Sequence, residues 1–134
     1  GWRMSDNKDM RMGGYPSKVR SFASLAKGAL IATAGAPGVV IWPFTGPAGP
    51  MGKEAAEVGF DESSLVTRVA AALNGSRLWA GLDDGRVWTT DIQATGRTYL
   101  KADTGPPITA LAVSADGKRA AWGDEAGGAG LVDA

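Results

Sequence analysis

Short β-rich runs separated by turn residues recur along the whole chain, and the clearest example is residues 77–92 (RLWAGLDDGRVWTTDI). Two apolar runs flank Leu82-Asp83-Asp84-Gly85, where the Asp-Gly pair supplies the positive φ of a tight turn, so the pattern predicts two antiparallel strands joined at Gly85. The same unit appears on both sides of this one. With Val19, Val66 and Ile108 set as equivalent, a glycine follows nine residues later each time (Gly28, Gly75, Gly117) and another ten later again (Gly38, Gly85, Gly127). Each copy divides into strands: a first at 19–23, 66–73 and 108–114, rich in small and β-branched residues; a second at 29–34, 77–82 and 118–123; a third at 39–44, 86–92 and 129–133. A more polar fourth strand is expected at 53–58 and 97–101, and the third copy has no room for one before Ala134.

Ahead of the repeats, Trp2 and Met4 alternate with Arg3 and Ser5, Asp6-Asn7 reads as a turn, and Met10 and Met12 alternate with Asp9 and Arg11. The pattern predicts a leading strand pair within residues 1–18, with the methionines filling core space. Because Gly1 starts a strand that nothing precedes, the expectation is an interior segment of a longer protein or a trimmed chain. Residues 45–52 (TGPAGPMG) hold Gly-Pro triplets too few for a triple helix, and read as a proline-stiffened loop that lengthens the first period.

The copies start 47 and 42 residues apart, close to the period of about 40 to 45 of four-stranded propeller units. At this point the chain resembles the WD40-repeat β-propellers, through residues 28–44 (GALIATAGAPGVVIWPF), 78–91 (LWAGLDDGRVWTTD) and 114–123 (SADGKRAAWG), and it is similar to the C-terminal blades of bacterial members. The resemblance implies an all-β fold of about three blades in one domain over 1–134: blades at 19–58 and 66–101, and one at 108–134 lacking its outer strand. It also implies a protein-interaction scaffold. Where that family carries Gly-His ahead of the first strand, this chain has Gly14-Tyr15, Gly59-Phe60 and Gly105-Pro106, so the family's buried histidine network has no counterpart. Cohesion is therefore expected from burial of Trp42, Trp79, Trp88 and Trp122. Three blades do not close a ring, since propellers typically use about four to eight. Either further blades belong to the ring, or copies assemble, with residues 8–15 of a neighbour completing the open blade.

Composition narrows the chemistry. Fourteen basic residues balance fourteen acidic ones, so no overall field draws in nucleic acid or anionic membrane, and neither is expected as a partner. With no cysteine and no histidine, disulfides, thiolate nucleophiles and the usual proton shuttle near neutrality are all excluded. The absence of cysteine also suits a reducing, cytoplasmic setting. A non-catalytic protein without cofactor or metal is expected, and candidate partner-binding residues are Tyr15, Arg20, Phe60, Arg68, Asp83 and Asp84: arginines at the starts of first strands, acids in the second-to-third turn, and aromatics after a glycine in the loops leading inward. An alternative reading takes the turn carboxylates Asp83, Asp84, Asp124 and Glu125 as the site of a propeller enzyme or of a small-ligand or metal-binding propeller. Against it, Asp in such turns also serves the backbone alone.

Overall fold

The computed structural model describes residues 1–133 and is all-β: no α-helix occurs among the described residues. Three antiparallel sheets follow one another along the chain, each with its strands in sequence order. Sheet I comprises β1 (Phe22–Leu25), β2 (Leu30–Thr33), β3 (Val39–Pro43) and β4 (Ala56–Val58). Sheet II comprises β5 (Val66–Ala71), β6 (Arg77–Leu82), β7 (Val87–Asp91) and β8 (Thr98–Lys101), and sheet III comprises β9 (Ile108–Val113), β10 (Arg119–Asp124) and β11 (Ala129–Asp133). Strand period-two alternation gives each sheet a trailing face toward the preceding sheet and a leading face toward the next.

The first strands of the three sheets lie side by side, bonded across the sheet boundaries. Gly35 N–H donates to Val66 O at 2.9 Å and Val66 N–H to Ala36 O at 2.9 Å, joining sheets I and II. The Ser21 hydroxyl accepts from Val69 N–H at 3.0 Å, a further link between sheets I and II, and the Thr67 hydroxyl donates to Ile108 O at 2.7 Å, joining sheets II and III. Between sheets I and II, Leu25, Ala32 and Ile41 from the leading face of sheet I meet Val69, Leu78, Ala80, Leu82 and Trp88 from the trailing face of sheet II. Between sheets II and III, Ala70 and Trp79 meet Ala120, Leu111 and Val113. Sheet II is therefore covered on both faces, which is why β6 is buried at every position but Arg77.

Glycine sets the spacing at this second boundary. A Cβ on Gly81 would stand 2.4 Å from Ile108 Cγ2, so the branched side chain that opens β9 sits directly on the β6 backbone. Gly59 does the same for an indole: its φ is +65°, and a Cβ there would lie 2.5 Å from Trp88.

Three expectations are corrected. The first strand predicted at 19–23 runs instead from Phe22 to Leu25, because Ala26 and Lys27 take positive φ and place the turn directly after Leu25. The glycine phase marks the first turn in all three sheets but slips by one residue in the second. Thr33, Ala80 and Trp122, each five residues past Gly28, Gly75 and Gly117, pair with Val40, Trp88 and Gly130, which lie two, three and three residues past Gly38, Gly85 and Gly127. The cause is a shorter turn whose positive φ falls on Gly35 (+99°); Gly38 is needed for close approach, since its Cβ would be 2.8 Å from Val58 O. Of the four tryptophans expected to seal the sheets, Trp79 and Trp88 are buried, at 1% and 0% exposure, whereas Trp42 and Trp122 are half-buried.

The leading strand pair is present as a single antiparallel bridge, Trp2 to Asp9, closed by Asn7 at φ +57°. Trp2 and Met4 stay exposed. The segment after the bridge lies on the trailing face of sheet I: Tyr15 shares a 2.5 Å hydrogen bond with the Thr33 hydroxyl and accepts from Trp42 Nε1 at 2.6 Å. Residues 8–15 are thus held by their own chain through Tyr15, and among the described residues no strand pairs with the outer edge of β11. The proline-glycine stretch is a loop with positive φ at Gly46, Gly49 and Gly52, against which Met10 packs.

Candidate binding site

Because the three first strands run side by side, the segments entering them gather at one end of the molecule. They enclose a pocket of about 260 Å³ lined by Ser17, Lys18 and Arg20 ahead of β1, by Leu65 to Arg68 at the start of β5, and by Pro107 to Thr109 at the start of β9. Asp83 and Glu125, from the turns after β6 and β10, complete it. Three cations and two carboxylates thus converge, and their roles differ. Arg68 is pinned: its Nε donates to Thr109 O and its Nη1 to Thr67 O, both at 2.7 Å, which fixes the planar fork at the pocket wall. Asp83 is held as well, accepting from Leu65 N–H at 2.8 Å while its own N–H donates to Leu65 O at 2.9 Å. Lys18 and Arg20 are exposed and make no hydrogen bond or ion pair among the described residues.

The six residues expected from the sequence divide among three places. Arg20, Arg68 and Asp83 meet in this pocket. Tyr15 and Phe60 meet in another of about 260 Å³, on the trailing side of sheet I beside Pro37 and Trp42, where Phe60 is 59% exposed. Asp84 belongs to neither. It pairs with Arg86 at 2.6 Å in an ionic cluster, in which Arg86 also reaches Asp61 at 3.2 Å and Arg97 reaches Asp61 at 3.3 Å. The ring of Tyr99 lies against both guanidinium groups, 5.5 Å from that of Arg86 and 5.3 Å from that of Arg97. Burial pushes the Asp84 carboxyl up, but hydrogen bonds from Arg86 outweigh it and hold the group below its ordinary range. Arg86 is held above its own, by Asp84 first.

Asp61 was not singled out by any motif, yet it ties the loop before β5 to this cluster. Its carboxyl is lowered to about 2, chiefly by hydrogen bonds from the Ser63 hydroxyl and backbone, then by Arg86 and Arg97. A group with a depressed folded pKa contributes stability above its unfolded value, near 3.8, and loses it as pH falls toward about 2. Asp61→Asn is therefore expected to flatten the drop in Tm between about pH 4 and pH 2, read by circular dichroism across that range. A drop of unchanged steepness would show that other carboxylates carry it.

Of the acids in the alternative reading, Asp124 and Asp84 bond within their own turns, and Asp83 bonds the segment before β5. The Asp124 carboxylate accepts from Ala126 N–H at 3.0 Å and Gly128 N–H at 2.8 Å, and Asp83 and Asp84 look to different partners. A wider hollow, about 770 Å³, is an open dish around Ser114, Asp116 and Asp133, where Asp116 already accepts from the Ser114 hydroxyl at 2.6 Å.

Of the residues missed from the sequence, Lys18, Thr67 and Thr109 in the pocket belong to the entrances of three different copies, and Asp61, Arg86 and Arg97 in the cluster are spread over one copy and the loop before it, so no local motif joins either set. No helix of the described residues is long and apolar enough to cross a membrane. Compared with known proteins, the chain matches no family model and no curated protein.

Proposed function

We propose that the three sheets are consecutive blades of a WD40-like β-propeller, and that the protein is a non-catalytic interaction module whose end pocket takes an acidic segment of a partner protein. The blade reading is supported by the order of strands within each sheet and by the first strands lying together, so that each sheet radiates outward from β1, β5 or β9. The binding reading is carried by one observation: Lys18, Arg20 and Arg68 converge on a pocket whose only acids are Asp83, fixed to the Leu65 backbone, and Glu125 at the rim. A preorganised guanidinium beside two unpaired cations favours a carboxylate-bearing side chain, since Arg68 has its remaining donors free and already oriented.

The test is fluorescence anisotropy with labelled peptides of equal length, one rich in Asp and Glu, one in Lys, one neutral. The acidic peptide is expected to bind most tightly and to weaken with added salt. Arg20→Glu is expected to cost about tenfold or more in affinity while leaving stability within about 0.5 kcal/mol, because this side chain is exposed and bonded to nothing. Equal affinity for all three peptides would overturn the reading.

A further inference from the structure

The register of the three sheets makes their faces comparable residue by residue. Phe22, Val69 and Leu111 lie six residues before Gly28, Gly75 and Gly117, and each pairs with the residue five beyond that glycine, so all three occupy the same site on the trailing face. Val69 is buried against sheet I and Leu111 packs against sheet II, while Phe22 is 72% exposed. On the leading faces the matching positions are Ala23, Ala70 and Ala112 on the first strands, and Ala32, Trp79 and Ala121 on the second. Those of sheets I and II are covered by the next sheet. That of sheet III is bare, with Ala110, Ala112, Ala129 and Leu131 exposed and Leu131 at 68%. Gly123, the counterpart of Gly81, has only Ala110 Cβ at 3.7 Å and Gly128 O at 3.8 Å near where its own Cβ would be, and no Ile108-like side chain above it.

We infer that the bare leading face of sheet III and the sheet I trailing face around Phe22, left uncovered by the segment that carries Tyr15, are the two halves of one contact through which a second copy of this chain docks. The inference rests on the blade reading, because it continues the stack already present between sheets II and III. Side-chain size is the specific argument. Between sheets II and III the leading face carries Trp79, and it meets Ala120 and Leu111. In the docked pair the leading face carries Ala121 where Trp79 would stand, and the opposing face carries the larger Phe22, with Tyr15 layered over Thr33 on the neighbouring strand. Small on one side answers large on the other, as interior packing density demands. The contact joins unlike faces, so it is head-to-tail and propagates into a ring or an open chain.

Sedimentation velocity on the full chain tests this. The wild type is expected to sediment as more than one copy. Phe22→Glu, which blocks one face, and Ala112→Glu, which blocks the other, are each expected to be monomeric with circular dichroism and Tm close to wild type, since both side chains are exposed. Mixed in equal amounts, the two variants are expected to form a two-chain species, because each keeps one intact half. Phe22→Ser and Ala110→Glu give a second pair should either first variant unfold. A monomeric wild type, an assembly that survives both variants, or a mixture that stays monomeric overturns the inference. A monomeric wild type that still prefers the acidic peptide removes the docking and leaves the end-pocket reading standing.

Discussion

Gly81→Val is expected to destabilise the protein by about 3 kcal/mol, at the upper end of what overpacking a close-packed interior costs. The first added carbon would lie 2.4 Å from Ile108 Cγ2 and 2.8 Å from its Cβ, and neither atom is the movable tip of a long side chain. Relief requires β9 to move off β6, which also threatens the hydrogen bonds from Thr67 and Arg68 to Ile108 O and Thr109 O. Urea denaturation followed by circular dichroism measures the loss. Ile108→Ala opens space at the same point, so the double variant is expected to be less destabilised than the two single losses together, by about 1 kcal/mol or more. Gly123→Ala is the control. It occupies the matching register on sheet III, has no positive φ, and meets nothing closer than 3.7 Å, so its cost is expected to stay within about 0.5 kcal/mol. Equal losses at Gly81 and Gly123 would mean that the approach of β9 is not responsible, since strand propensity alone favours valine and alanine over glycine.

Trp88→Ala is expected to be the most damaging single truncation, at about 4 kcal/mol, a value typical of emptying a large aromatic site. Trp88 is completely buried between sheets I and II, opposite Ala80 and against Gly59, whose backbone leaves no gap for the structure to collapse into. The indole also has a cost of its own: its Nε1–H is buried and has no hydrogen-bond partner. Trp88→Phe removes that donor together with part of the packing, and the desolvation recovered, about 1 to 3 kcal/mol, offsets much of what is lost. Phenylalanine is therefore expected to cost about 1 kcal/mol, with a large separation between the two variants in chemical denaturation. If both variants lost the same amount, the shape of the site and the orphaned donor would both have been misjudged.

The repeat was legible because local chemistry enforces it. Gly85 and Gly127, at φ +84° and +89°, and Gly28 and Gly117, at +88° and +70°, are in a conformation that side chains resist, so turn positions are written directly into residue type. Gly38 shows where this reading slips: its role is close approach to β4, a strand distant in sequence, and spacing alone does not separate that from a turn. Burial was less legible. Trp42 and Trp122 have the same composition signal as Trp79 and Trp88, but Trp42 lies on the trailing face of sheet I, which no sheet covers, and Trp122 shares the face of Leu111 toward sheet II yet stays half-buried.

The candidate site divides along the same line. Arg20, Arg68 and Asp83 were recognisable as charges at strand entrances and turns, and the structure brings them into one pocket. Tyr15 and Asp84 carried equally reasonable sequence arguments, yet Tyr15 is spent on Thr33 and Trp42, and Asp84 on Arg86. The strand order, the turns of sheets II and III, the absence of histidine and cysteine chemistry and the three-fold repeat were determined by the sequence alone, because each depends on contacts between near neighbours or on residue type. Which faces are covered, which glycines admit a neighbouring sheet, and which charges remain free were decided only by the stacking of sheets, since those partners lie about 40 residues apart and period-two alternation does not name the face that finds one.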